Sequence, residues 1–230
     1  MQHYTHIVLG IPHANGQAYS SPEKRWRGDK AIVSERNRWT DWYTHELFGR
    51  IRDNVFVVQS EGSRFDCDLE RLEHEPDRIC RYYYKEKGGV APSVAFQNEM
   101  LAKWFGYRAE LMAAAAKGER AIILDCHSFP SDYEPMVDVC LGYNEDGSRP
   151  AEAELRRVME LFERNGYRTA FNRPYGNAIA PIGYIGKSLM IEVSKRCYMD
   201  ESKLRKGSGF ASFAATIDRV YDYLLGVLSN

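Results

Sequence analysis

Short apolar runs separated by amphipathic stretches organise this chain. His6 to Pro12 (HIVLGIP), Asn54 to Gln59 (NVFVVQ), residues 121 to 126, Met136 to Leu141 (MVDVCL) and Ser188 to Val193 (SLMIEV) have the length and apolar content of strands. Thr169 to Asn172 is a shorter candidate. Between these runs the spacing becomes helical. Trp39, Trp42, Tyr43, Leu47 and Phe48 form one stripe over Ser34 to Phe48. Further helices are predicted from Pro92 to Ala116, from Pro150 to Asn165 with Gly166 just past the end, and from about Ser208 to Leu228. Phe65, Cys67 and Leu69 alternate with Arg64, Asp66 and Asp68, which predicts a strand with one polar face. Residues after Gly16 read as a polar surface loop, and residues 81 to 91 as irregular. Strands alternating with helices predict one α/β domain over residues 1–230, with a mixed, mostly parallel sheet flanked by helices on both faces.

Three strand ends carry polar residues suited to chemistry. Open α/β sheets place ligand sites beyond the carboxyl ends of their strands. The first end presents His13. The second, IILDCHSFP (122–130), delivers Asp125 and His127 on one face of an ideal strand, with Cys126 on the other. The third carries Glu192 between Ile191 and Val193, where a carboxylate is either buried with a partner and a raised pKa or solvated on an edge strand. His127 alone reads as a metal ligand or a structural histidine. Two histidines on separate strand ends with a carboxylate nearby form the ligand pattern of a catalytic zinc, in which one position stays open for water. A Cys126 or Ser128 nucleophile beside His127 is disfavoured, because adjacent strand residues face opposite ways. Arg64, Arg71 and Arg173 offer guanidinium groups for an anionic substrate.

Composition narrows the class without naming it. A content of 44 % hydrophobic residues over 230 positions suits a globular domain with one core. A formal net charge of -1 and a pI near 6.6 give a nucleic-acid partner no electrostatic support. The cysteines at 67, 80, 126, 140 and 197 are odd in number and lack CxxC spacing, as expected of reduced thiols. The opening MQHYTHIVLGIPH has no basic n-region, and its apolar run is too short for a signal or a membrane span. A soluble cytoplasmic protein is expected.

Six ordered motifs, IPHANG (11–16), TDWYTHELF (40–48), RFDCDLER (64–71), LDCHSFP (124–130), NRPYG (172–176) and IEVSKRCYMDE (191–201), resemble the N-formylglutamate amidohydrolases, and more distantly the aspartoacylase and zinc carboxypeptidase superfamily. The resemblance implies a phosphorylase/hydrolase-like α/β fold and one zinc ion with His13 and His127 as ligands. In carboxypeptidase-like relatives a glutamate follows the first histidine by three residues, and here that position is Gly16. The acidic ligand is therefore assigned to Asp41, with Glu35 as second candidate; the other role for Asp41 is helix capping. RFDCDLER resembles the RF…DLNR segment whose arginines bind substrate carboxylates, so Arg64 and Arg71 carry over, while the family's Asn is Glu70 here. Glu192 matches the general base, and Arg173 with Tyr175 the substrate loop. Lys195 and Arg196 either face the pocket or are solvated.

The activity so implied is zinc-dependent hydrolysis of a linear amide, removing an N-formyl or other N-acyl group from an amino acid in amino-acid metabolism. One alternative is a zinc carboxypeptidase acting on small or cell-wall peptides. The other is a non-catalytic carboxylate-binding protein of the same fold.

Overall fold

The computed structural model of the chain describes residues 3–14, 16, 30–71, 93–181 and 183–227. Residues 17–29 of the loop expected after Gly16 and the irregular stretch expected at 81–91 lie outside the described residues; residues 30–33 of that loop instead open a helix. Among the described residues, eight strands and five α-helices follow in order: β1 (His6–Ile11), α1 (Lys30–Trp39), α2 (Thr44–Phe48), β2 (Val55–Gln59), α3 (Val94–Ala115), β3 (Ala121–Phe129), β4 (Val139–Gly142), α4 (Glu152–Glu163), β5 (Thr169–Phe171), β6 (Lys187–Ser194), β7 (Met199–Asp200), β8 (Arg205–Lys206) and α5 (Phe210–Leu224). Six strands make one sheet in the order β2-β1-β3-β6-β4-β5. Only the β4–β6 pair within it is antiparallel. The sheet is thus mixed and mostly parallel, as the alternation of elements predicts.

Helices cover both of its faces. Ile7, Leu9, Ile11, Ile122, Leu124, Cys126, Leu189, Ile191 and Val193 point to one side and meet α2, α4 and α5 in the larger core. Val8, Ala121 and Ile123 point to the other, against Met100, Trp104, Tyr107 and Leu111 of α3. Those α3 residues recur every three or four positions, so one stripe of the helix is buried. The Ser93 hydroxyl accepts from the Phe96 N–H and caps its start. Trp104 is fully buried, and its truncation to Ala costs about 3–5 kcal/mol. Gly166, with φ 84, ends the turn after α4 where a side chain would be strained.

Two expected elements differ. The helix predicted from Ser34 to Phe48 is broken: α1 stops at Trp39, and Tyr43 adopts φ 65 before α2 begins. The Tyr43 hydroxyl donates to Leu204 O at 2.7 Å, which holds this left-handed turn against β7 and β8. The strand predicted at Arg64 to Leu69 is instead a run of turns, tied by Cys67 N to Ser63 O at 3.2 Å and Arg71 N to Asp68 O at 3.2 Å. Its alternation misleads because Phe65, Asp66, Cys67, Asp68 and Leu69 are all buried; Asp68 is occupied by side chains of the site rather than facing water. The strand predicted from Met136 starts only at Val139, and Met136 is exposed.

Candidate metal centre

The parallel strands β1, β3 and β6 end at one edge of the sheet, and this topology gathers the polar strand ends. His127 on β3 and Glu192 on β6 are register partners, as are Asp125 and Met190. Neighbouring strands lie about 4.8 Å apart, so partners emerge side by side on the same face. Glu192 sits inside the sheet, 6 % exposed, and not on an edge strand. His13 follows the end of β1.

Asp41 arrives from the broken helix. Its N–H donates to His13 O at 3.0 Å, which ties the turn after α1 to the loop after β1. Gly16 shapes the same contact: a Cβ there would come within 2.9 Å of the Trp42 ring. The indole beside Asp41 therefore fills the space that a side chain at position 16 would take. Lys195 is buried, and its ammonium donates to Arg38 O in the last turn of α1. Neither the solvated nor the pocket-facing reading of Lys195 describes that role. Arg196 turns away from the cavity, toward Asp138 and the carbonyl of Val137.

Both imidazoles are held by a carboxylate on one nitrogen and turn the other inward. His13 Nε2 lies 3.0 Å from Asp68 Oδ1, and His127 Nε2 lies 2.8 Å from Asp125 Oδ1. Asp68 is braced by Arg71 Nε at 2.9 Å, and Asp125 accepts from Ile179 N at 3.0 Å. A carboxylate at Nε2 takes the N–H and selects the tautomer whose Nδ1 carries a lone pair. The two Nδ1 atoms converge on Asp41 Oδ2, at 3.8 Å from His13 and 3.3 Å from His127. Lone pairs aimed at a buried carboxylate need a positive charge between them.

The electrostatics point the same way. Burial alone would depress the His127 pKa, but Asp125, Glu70 and Asp41 outweigh it and raise the value well above that of free histidine. Burial opposes the charge on Asp41 and Asp68, yet His127 and Arg64, respectively, are foremost among the groups that keep both below the usual carboxylate range. Glu192 goes the opposite way, raised well above its ordinary value by burial first and by Asp41 and Glu70 as further contributors.

The donor set fits a metal cation. His13 Nδ1 and Asp41 Oδ1 are buried with no hydrogen-bond partner, a costly arrangement that a cation would relieve. His13, Asp41 and His127 can present one atom each within 4.8 Å of one another. Imidazole and carboxylate donors suit zinc, and three of them leave a coordination position open. Glu70 stands beside this group, with Oε1 3.2 Å from His127 Nε2 and Oε2 3.5 Å from His13 Nδ1. Glu35 belongs to no such group among the described residues.

A cavity of about 600 Å³ opens onto the centre, bounded by Arg64, Arg71, Glu70, His127, Glu192 and the aromatic rings of Trp39, Tyr133 and Tyr175. Arg173 is not among the residues around it; its side chain is 60 % exposed and donates to Glu134 at 3.1 Å. Asp68, Tyr133 and Trp39 escaped the sequence reading as site residues. The signal for Asp68 was its place inside RFDCDLER, whereas nothing local marks the two rings.

Comparison with known proteins completes the description. The family model described as N-formylglutamate amidohydrolase matches residues 5–199. The fold is similar to that of an N-formylglutamate amidohydrolase from Ralstonia eutropha, with 20% identity and a TM-score of 0.73, covering 98% of this chain and 95% of that one. It is also similar to a gene product of Agrobacterium tumefaciens, with 16% identity and a TM-score of 0.66, covering 98% and 92%. No curated protein matches the chain.

Proposed function

Because the chain belongs to the N-formylglutamate amidohydrolase family and is thus an amide hydrolase, we propose that it is a zinc enzyme removing an N-formyl or related N-acyl group from an amino acid. The observation that carries this reading is the convergence of two imidazole Nδ1 atoms on the Asp41 carboxylate, each ring held from behind by its own carboxylate. His13, Asp41 and His127 would hold the zinc. When bound, zinc supplies Lewis acidity that polarises an amide carbonyl and makes water a better nucleophile at neutral pH.

The remaining work falls to this chain's own side chains. Glu192, next to His127 across the β3–β6 ladder, would take a proton from the attacking water and return it to the amide nitrogen as the C–N bond breaks, giving a free amine and a carboxylic acid. Asp68 and Asp125 would fix the orientation of the two rings. Arg71, with Arg64 behind it, would anchor the substrate's α-carboxylate, and Tyr175 would line the bound side chain. Arg173, paired with Glu134, is left out of this anchor.

Turnover of N-formyl, N-acetyl and dipeptide substrates by the zinc-loaded protein tests the proposal. Hydrolysis of at least one N-acyl amino acid is expected, with kcat reduced about 10²- to 10⁴-fold in Glu192→Gln. Full activity in that variant would remove Glu192 from the mechanism.

A further inference from the structure

The cavity in front of the metal centre has one anionic wall and one aromatic wall, and together they specify what enters. Glu70 supplies the first. Its side chain is 26 % exposed and accepts from Arg64 Nη2 at 3.3 Å, while the same guanidinium reaches Asp68 at 3.5 Å. Arg64 is thereby committed to two carboxylates of the protein. Arg71 gives its Nε to Asp68 and lines the cavity, where its terminal nitrogens can meet one substrate carboxylate. A second substrate carboxylate would meet Glu70, whose partner Arg64 is already shared with Asp68.

The second wall is apolar. Tyr133 and Tyr175 lie parallel, with centroids 5.4 Å apart and planes within 6°. Trp39 meets Tyr133 edge-on at 5.7 Å. Ile179 and Met190, both buried, continue the surface inward. A cationic side chain gains little here, because Arg38 already lies 5.5 Å from the Trp39 ring centre, and Arg64 and Arg71 are close by.

We propose that this chain selects N-acyl amino acids with a neutral, aromatic or large apolar side chain, Glu70 excluding acidic ones and the Trp39–Tyr133–Tyr175 wall receiving the ring. The proposal rests on the N-acyl amino acid reading above, and two measurements separate their fates. The first is binding of N-formyl-L-phenylalanine, N-formyl-L-glutamate and N-formyl-L-lysine to zinc-loaded Glu192→Gln protein by calorimetry. The second is turnover of the same compounds by the wild type.

Binding of the phenylalanine compound at least about tenfold tighter than the other two is expected, and Glu70→Gln in the same background should narrow the gap to the glutamate compound. Tyr175→Ala should weaken the phenylalanine compound more than the glutamate compound. Equal binding, or preference for the glutamate or lysine compound, would overturn the proposal. Selective binding without turnover would support the selectivity and sink the catalytic reading.

Discussion

Two clusters of charged side chains lie at the same edge of the sheet, and they are built to opposite plans. Asp138, just before β4, accepts from Arg168 Nε at 2.8 Å, from Arg168 N at 2.9 Å and from Arg196 Nε at 2.8 Å. One carboxylate faces two guanidiniums, and every bond is local to the junction of β4, β5 and β6. At the end of β3, Asp41, Asp68, Glu70, Asp125 and Glu192 instead surround two histidines, with Arg64 and Arg71 as counter-charges. His13 Nδ1 and Asp41 Oδ1, both buried there, lack hydrogen-bond partners. A cluster whose carboxylate is fully paired holds a fold together. A cluster with surplus negative charge, oriented lone pairs and unpaired atoms is costly unless a ligand shares it.

Breaking the surplus cluster should cost function, and breaking the fully paired one should cost stability. The largest effect is expected for Asp41→Asn, which removes the anionic ligand that both Nδ1 atoms face; zinc affinity, measured by competition with a chelator, should fall roughly 100-fold or more. Asp68→Asn leaves the ligands in place but releases the His13 ring, and the same competition should show a loss of between about 10- and 100-fold. Asp138→Asn should leave zinc affinity within about twofold while lowering unfolding stability by about 1–2 kcal/mol in urea, since the charge-assisted bonds to Arg168 and Arg196 weaken.

A smaller effect sharpens the contrast. Burial works against the Asp138 charge, but its bonds to Arg168 and Arg196 hold the pKa down to about 2. Its stabilising contribution is therefore complete above the unfolded value of about 4 and is lost as pH falls from there toward about 2. Unfolding measured across that window should show a steeper acid loss in wild type than in Asp138→Asn. Equal slopes would mean that the ion cluster contributes nothing to acid sensitivity.

The strands and most helices were legible because burial on both faces leaves continuous apolar runs, and because Ser93 and Gly166 mark helix ends by ordinary capping chemistry. The break at Tyr43 was not, since the stripe of Trp39, Trp42, Leu47 and Phe48 satisfies a helical period on either side of it. That break brings the Asp41 amide to His13, so the geometry of the centre depended on a feature with no periodic signature. Asp66 and Asp68 were read as one polar face of a strand, because charge pattern alone does not distinguish water from a buried partner. The motifs marked the arginines of RFDCDLER as substrate ligands, but only the fold reveals that Arg64 is spoken for by Glu70 and Asp68.

The central claim is that His13, Asp41 and His127 hold one metal ion. Calorimetric titration of the metal-stripped protein with zinc tests it most directly, with His127→Ala and Asp138→Asn run alongside and circular dichroism confirming that each is folded. One tightly bound zinc per chain in wild type and in Asp138→Asn, and none in His127→Ala, is the result this account predicts. Equal binding in wild type and His127→Ala, or no binding in the wild type, would contradict it.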